Sequence, residues 1–439
     1  MSIKRSTLRG IAAAGIAALA LSACSGGGGD TPAPTETLDT EEEITISFAW
    51  WGNDDRAAKY EEAVDLFEAE YPNITVQTSF VAWDGYWTAR NTEAAGGSLP
   101  DVMQMDLSYL RQYGSTEQLL NLDGQVGTAL DVDGIDESLL ESGQLDGSQY
   151  GIPTSTNTLA LFYNPEILAQ LGIEPLAADY TWEDYNAFLA EVSTAGATSD
   201  PALYGGGDYT TTFWFFLQWL VQEGVDPFTE DGKINFTPEQ MTEWLEMAED
   251  LRAPTNLTYP IARGKQLEPL GGFTVNESAS EFSWDNFLAG YVADSGTETI
   301  EMLPIPTGDS GEKSMFFKPS MLLSASANSE NPAAAAALID FLVNEPEVGR
   351  IFGTSKGVPA VAEQRDAMVV EEGSIDAKVV AYEESVADHV TAAAPLPVEG
   401  FGAIEAEFKR LGEEFSYGTI TIDQFVEQWF AEAEISVPQ

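Results

Sequence analysis

The chain has 439 residues, of which 72 are acidic and 19 basic, and its formal net charge is −53 at pH 7. Such an acidic surface repels phosphate backbones, so we expect no nucleic-acid binding. One histidine, one cysteine and the lack of a G-x-x-x-x-G-K-[ST] motif argue against zinc sites, histidine-dependent catalysis and nucleotide chemistry. We therefore expect no metal and no cofactor.

The start of the chain has the organisation of a secretory signal peptide. Segment 1–23 opens with three basic residues and continues with an apolar run that is too short to span a bilayer. The basic residues are Lys4, Arg5 and Arg9, and the apolar run extends from Ile11 to Leu21. We expect residues 1–23 to be removed on export.

The end of this segment, Leu21-Ser22-Ala23-Cys24, resembles the lipobox of bacterial lipoproteins. The resemblance implies that Cys24 is lipidated and anchors an extracytoplasmic protein to the cell membrane by its lipid alone. The alternative is an ordinary signal peptide with an incidental cysteine. Residues 24–43 are rich in Gly, Pro, Thr and acidic side chains, a composition that predicts a flexible tether.

The next stretch predicts alternating strands and helices. Apolar and polar residues alternate over 44–50 and again over 74–80, and 102–105 forms a third short strand. Between the first two strands, Tyr60, Val64, Phe67 and Tyr71 share one face of a helix that ends before Pro72. This order predicts a mostly parallel sheet covered by helices.

Further elements follow along the rest of the chain. Strands are predicted at 158–163, 299–303 and 320–324, and an apolar helix at 213–220. N-cap boxes mark helix starts at Thr181 and Thr237, a capped helix follows Asn331, and 374–433 is helical. The predicted class is therefore α/β.

Four segments in order resemble the maltose-binding-protein-like solute-binding proteins of ABC importers. They are 96–102, 150–153 with 161–164, 181–185, and 335–359. The resemblance spans about 44–430 and implies a two-lobed periplasmic-binding-protein fold, class II-like, with a hinge crossed several times. It assigns 44–155 plus 306–345 to an N-terminal lobe and 156–305 plus 346–439 to a C-terminal lobe.

Ligands of open parallel sheets collect at the carboxyl ends of the strands. There and at the facing lobe, aromatic rings and short polar groups recur, so we expect these residues to bind ligand: Trp51, Asn53, Trp83, Asp106, Tyr109, Asn157, Tyr209, Trp214, Trp284, Asp285 and Lys318. For each, the alternative is a packing role, which we expect for Trp50, in phase with Ile46 and Phe48.

Flat rings beside carboxylates and amides suit a sugar, which has an apolar face and a rim of hydroxyls. With the family resemblance, this predicts a monomeric, non-enzymatic receptor that closes on a carbohydrate, favouring an oligosaccharide, and passes it to a permease with a separate ATPase. Two alternatives remain open. One is a secreted carbohydrate-active enzyme with a carboxylate pair, and the other is a receptor for a cationic solute.

Overall fold

The computed structural model describes Leu38 and residues 41–52, 54–268, 270–308 and 310–438. Within these ranges it contains eleven strands and sixteen α-helices, in agreement with the predicted α/β class. None of the helices in the described ranges is both long and apolar enough to cross a membrane. The predicted signal peptide and Cys24 lie outside the described residues.

The strands and helices alternate in the first part of the chain, and helices dominate the last part. The strands are β1 (Ile44–Trp51), β2 (Ile74–Val81), β3 (Val102–Met105), β4 (Gln144–Leu145), β5 (Ser148–Gln149), β6 (Ile152–Asn157), β7 (Leu159–Tyr163), β8 (Ser280–Trp284), β9 (Glu301–Leu303), β10 (Lys318–Ala325) and β11 (Val358–Pro359). The helices are α1 (Asp54–Glu70), α2 (Trp83–Gly96), α3 (Leu107–Gly114), α4 (Glu137–Glu141), α5 (Pro165–Leu171), α6 (Trp182–Gly196), α7 (Phe213–Gln222), α8 (Pro238–Glu246), α9 (Ile261–Leu267), α10 (Leu288–Ser295), α11 (Pro332–Asn344), α12 (Pro346–Phe352), α13 (Ala362–Ala367), α14 (Ile375–Val386), α15 (Phe401–Ser416) and α16 (Ile422–Ser436).

The larger sheet has six strands in the order β11-β6-β10-β3-β1-β2. Strand β1 pairs in parallel with β2 and β3, whereas β10 pairs antiparallel with β3 and β6, and β11 pairs antiparallel with β6. The predicted parallel order is confirmed for the three strands from which it was inferred, but the complete sheet is mixed. The three predicted strands do form the parallel part, but β10 returns from a distant part of the chain and inserts in the opposite direction.

A second sheet has three strands in the order β8-β7-β9, all antiparallel. The chain passes from the larger sheet to this one through the single residue Thr158, because β6 ends at Asn157 and β7 begins at Leu159. This crossing therefore links the two sheets by the shortest possible connection.

Strand β1 shows why the alternating pattern produces a strand here. Its side chains Ile46, Phe48 and Trp50 are at most 1% exposed and pack toward α1, where the Tyr60 ring lies 4.8 Å from that of Trp50. Burying each such side chain stabilises the fold by roughly 1.5–3 kcal/mol. The expected core position of Trp50 is confirmed.

Helix starts follow the predicted capping signals in two of three cases. Thr181 and Thr237 each cap their helix through a reciprocal box, with Asp184 and Gln240 respectively as the third helical residue. Helix α11 begins at Pro332 as expected, but the Asn331 side chain makes no cap hydrogen bond. Asn331 therefore occupies the N-cap position, but the predicted side-chain cap is not formed.

Two segments on either side of β10 contact different parts of the fold. In 306–317, the carbonyls of Pro306 and Lys313 accept hydrogen bonds of 2.9 and 3.0 Å from Gln222 on α7, next to the three-stranded sheet's core. In 346–361, α12 packs against α1, and β11 belongs to the six-stranded sheet. The return to the larger sheet therefore begins at β10 and extends through β11.

Candidate functional site

Two tryptophans and a lysine form the centre of the candidate site. Trp214 on α7 and Trp284 at the end of β8 meet edge to face, with ring centroids 5.6 Å apart at 75°. The Lys318 Nζ atom at the start of β10 lies 5.7 Å from both ring centroids. A cation over aromatic faces is stabilised by the ring quadrupole, so these contacts hold Lys318 in place between the two rings.

Asn157 lies directly beside this centre. Its backbone pairs with Lys318, because the end of β6 is in register with the start of β10. Among the described residues, no group donates a hydrogen bond to its buried Oδ1 atom. Buried amide oxygens normally have a partner, so this atom is suited to accept a hydrogen bond from a ligand hydroxyl.

Gly357, opposite Asn157, allows the segment before β11 to lie close to β6. Gly357 has φ +98°, and a Cβ atom built on it would lie 2.3 Å from the Thr156 carbonyl oxygen and 2.8 Å from Asn157 Oδ1. Only glycine fits there without displacing the backbone of β6. The position of the Asn157 amide therefore depends on the close approach of the segment before β11.

Glu405 on α15 belongs to the same cluster, although the sequence did not single it out. Burial raises its pKa most strongly and Asp106 raises it further, whereas Lys318 and a side-chain hydrogen bond with Trp214 lower it. These effects place Glu405 among Lys318, Trp214 and Asp106. No signal in the sequence pointed to it: Glu405 is one turn after Phe401, but the 5.4 Å contact of that ring with Trp214 exists only in the tertiary structure.

Asp106 reaches this cluster from the six-stranded sheet. It follows β3 directly and caps α3, with its Oδ1 atom accepting a 2.9 Å hydrogen bond from the Ser108 backbone N–H. The cap fixes the orientation of the carboxylate at the carboxyl end of the strand. Glu405 thus interacts electrostatically with Asp106 and with Lys318, although the three residues come from distant parts of the chain.

A second aromatic group lies at the ends of β1 and β3. Trp83 is 40% exposed, and its ring lies 4.9 Å from Trp51 and 6.2 Å from Tyr109. Trp87 stacks on Tyr109 with centroids 3.7 Å apart and was not predicted, although it is one helical turn after Trp83. Trp51 is 8% exposed, so it supports Trp83 from behind, and Trp83 provides the open ring face.

Two predicted residues lie in the protein interior. Tyr209 is 4% exposed, stacks on Trp182 at 5.1 Å, and donates a 3.1 Å hydrogen bond to Asn186 Oδ1. Asp285 is 0% exposed, and its Oδ2 atom accepts a 3.2 Å hydrogen bond from the Thr158 N–H. Their buried positions do not support the expected ligand contacts. Asn53 lies outside the described residues.

The two groups together offer flat ring faces, an available amide oxygen and carboxylates. Such groups recognise a molecule with apolar faces and a hydroxyl rim, since each hydroxyl both donates and accepts. Among the described residues, no group of three or more His, Cys, Asp or Glu side chains is arranged to hold a metal ion.

Comparison with known families gives one clear match. Residues 51–348 match the family described as bacterial extracellular solute-binding protein. A putative binding protein of Brucella abortus is 22% identical over 285 residues, covering 64% of this chain and 68% of that protein. An arabinooligosaccharide-binding protein of Halalkalibacterium halodurans is 26% identical over 199 residues, covering 44% of this chain and 42% of that protein.

Solved structures extend the likeness to most of the chain. An extracellular solute-binding protein family 1 member from Alicyclobacillus acidocaldarius superposes with TM-score 0.72 at 26% identity, covering 90% of this chain and 98% of that one. A periplasmic oligogalacturonide binding protein from Yersinia enterocolitica gives TM-score 0.74 at 22% identity, with coverage of 89% and 98%. These likenesses confirm the predicted fold class.

Proposed function

Because this chain belongs to the bacterial extracellular solute-binding protein family, we propose that it captures a carbohydrate and delivers it to the permease of an ABC importer. The observation that carries the proposal is the Trp214–Trp284 pair, with Lys318 between the rings and the available Asn157 amide oxygen beside it. Relatives named as arabinooligosaccharide-binding and lactose-binding proteins support a saccharide as the ligand.

Each group has a role in holding a sugar. The faces of Trp284 and Trp83 stack on the apolar C–H faces of the rings, while Asn157 accepts from a hydroxyl. Asp106 and Glu405 accept further hydroxyl hydrogen bonds, and hydrogen bonds to ionised groups are the stronger kind. The separation of two aromatic groups, one near β1 and one near β8, favours an oligosaccharide over a single sugar.

Capture follows from the origin of these groups in both sheets. Asp106 follows a strand of the six-stranded sheet, whereas Trp284 ends a strand of the three-stranded sheet. A saccharide that contacts both binds a closed arrangement better than an open one, and this difference in affinity drives closure. The crossing at Thr158 is one of the places where the chain bends.

Location and partners complete the proposal. The lipobox pattern around Cys24 supports a lipid-anchored protein held at the outer face of the cell membrane. We propose that the protein acts there as a monomer. The permease and its ATPase are separate subunits. The protein releases its ligand chemically unaltered, so it is not an enzyme. Turnover of a saccharide that is abolished by replacing one carboxylate would contradict this part.

A thermal-unfolding screen over neutral oligosaccharides, uronate oligosaccharides and polyamines tests the ligand class. A ligand at 100 times its dissociation constant should add about 2.7 kcal/mol of stability. We expect a neutral oligosaccharide to give this shift and its affinity to change little with salt. A polyamine bound with steeply salt-dependent affinity would favour the cationic alternative, because only charged ligands are screened.

Trp284→Ala tests the site itself. Loss of one stacking face should raise the dissociation constant of the saccharide by at least about tenfold, or roughly 1.4 kcal/mol. Tyr417→Ala is the matched control, because Tyr417 is 50% exposed at the end of α15. Isothermal titration should give an unchanged constant for the control. An unchanged constant for Trp284→Ala would remove Trp284 from the site.

A further inference from the structure

Two buried carboxyl groups lie at the crossing between the sheets. Asp285 follows β8 and is 0% exposed, and Glu383 on α14 is 5% exposed. Glu383 Oε2 accepts a 2.6 Å hydrogen bond from the Thr156 hydroxyl, and Asp285 Oδ2 accepts a 3.2 Å hydrogen bond from the Thr158 N–H. The two carboxyl groups therefore hold both neighbours of Asn157.

Helix α14 reinforces this attachment. The hydroxyl of Tyr382, next to Glu383, donates a 2.6 Å hydrogen bond to the carbonyl of Leu159, the first residue of β7. Two consecutive residues of α14 thus bind the chain before and after Thr158, Glu383 at Thr156 and Tyr382 at Leu159. On the other side, Asp285 follows Trp284 directly, so its position also sets the end of β8.

Each carboxyl group has a second oxygen that accepts neither of these hydrogen bonds. No donor among the described residues reaches Asp285 Oδ1 or Glu383 Oε1, although both atoms are buried. Helix α14 packs against the turn that begins at Asp285, and the Asp285 carboxyl raises the pKa of Glu383, so the two side chains are neighbours. Two carboxylate oxygens can only accept, so a hydrogen bond between them requires a proton on one of them. Leaving two buried charges side by side would be costly.

We propose that Asp285 and Glu383 share one proton between Asp285 Oδ1 and Glu383 Oε1, and that this pair positions Asn157 and Trp284 for ligand binding. The proposal rests on the proposed function for its effect on affinity, though not for the proton itself. When the pH rises, the proton leaves to solvent and two adjacent carboxylates remain. Their repulsion separates Thr156 and Thr158 from their partners, and carbohydrate binding weakens.

The electrostatic surroundings agree with a retained proton. Burial raises the pKa of Asp285 and of Glu383, and the hydrogen bond between them lowers the first and raises the second, which places the proton on Glu383. Arg365 on α13 lowers the pKa of Glu383 less strongly, and its own Nη1 donates to the Pro359 and Ala360 carbonyls. The adjacent Tyr382 stays neutral, because burial and both carboxyl groups raise its pKa.

Glu383→Gln in the full chain is the decisive variant. Its amide N–H₂ replaces the shared proton with a permanent donor toward Asp285, so the variant has no proton to lose. For the wild type, we expect the saccharide affinity to fall at least about tenfold between about pH 6 and about pH 9, and for the variant to stay nearly constant. Glu384→Gln, an exposed neighbour on the same helix, should behave as the wild type.

Two readouts need no ligand. The infrared absorbance of protonated carboxylic acids near pH 7 should be smaller in Glu383→Gln than in the wild type, because one protonated group is lost, and it should be unchanged in Glu384→Gln. Burial also raises the pKa of Glu281 to about 7, so the difference spectrum against the wild type is the readout. The unfolding temperature of the wild type should fall with rising pH more steeply than that of Glu383→Gln. If no saccharide binds at any pH, the proposed function fails, while these two readouts still test the shared proton.

The results that would overturn the shared proton are equally definite. An equal carboxylic acid absorbance in Glu383→Gln and the wild type near pH 7, or the same pH slope in both proteins, would refute it. If Glu383→Gln does not fold, Asp285→Asn provides the same permanent donor from the other side and should give the same flat profile. A pH-independent saccharide affinity in the wild type, with the absorbance difference present, would refute the positioning role.

Discussion

Replacing Gly357 with alanine tests how tightly the crossing is packed around Asn157. The added Cβ would lie 2.3 Å from the Thr156 carbonyl oxygen, 2.8 Å from Asn157 Oδ1 and 3.1 Å from Ser320 Cβ. The φ angle of +98° is also one that alanine rarely adopts. A strained backbone costs about 1–3 kcal/mol, and overpacking costs about 1–3 kcal/mol more.

We therefore expect Gly357→Ala to lower the free energy of unfolding by about 2–6 kcal/mol and to weaken saccharide binding, because β6 must shift. Urea unfolding with an unchanged m-value would measure the first effect, and isothermal titration the second. Gly290→Ala is the control, since Gly290 lies within α10 and its added Cβ would have no atom within 4 Å. It should gain up to about 1 kcal/mol. A Gly357→Ala protein as stable as the wild type would refute the reasoning.

Two further changes test buried charges. Burial, with nearby cations, lowers the pKa of Lys356 to about 7, and its Nζ atom lies 3.8 Å from the Phe352 ring centroid. Between pH 7 and about pH 10.4, Lys356 is protonated in the unfolded chain but largely neutral in the folded protein. The free energy of unfolding therefore decreases as the pH falls through this window. Lys356→Met should therefore be more stable than the wild type by about 2–4 kcal/mol at pH 7, and the difference should be smaller near pH 10. An equal difference at the two pH values would contradict the lowered pKa of Lys356. Arg252→Met should cost about 3 kcal/mol in urea unfolding, because it leaves the Asp208 carboxylate, 8% exposed and 2.7 Å from Arg252 Nε, without its cation. A loss below about 1 kcal/mol would show that water replaces the pair.

Local structure was largely predictable because it depends on neighbours in sequence. The alternation in 44–50 specifies a strand, since successive side chains of a strand point to opposite faces. The boxes at Thr181 and Thr237 specify helix starts, since each threonine serves backbone N–H groups three residues on. The expectation for Asn331 failed because the same residue type does not cap every helix that it precedes.

The candidate site was predictable only in part. Trp214, Trp284 and Lys318 are among the residues that the sequence predicts at the ligand, and the structure places them together. Asp285 was chosen with Trp284 as its neighbour in sequence, but adjacent side chains point in different directions, and the carboxylate lies inside against Glu383. Glu405 had no feature that distinguishes it among 72 acidic residues.

The sequence alone determined the α/β class, the family resemblance, the signal and lipobox pattern, and the positions of several strands and helices, because periodicity, capping residues and motifs act over short distances. Only the tertiary structure decided that β10 inserts antiparallel, that Lys318 pairs with Asn157, and that Asp285 meets Glu383. Such contacts join parts of the chain that are far apart in sequence. They form when the summed burial and hydrogen bonding of the whole fold offset the entropy of closing long loops, and no local pattern encodes that sum.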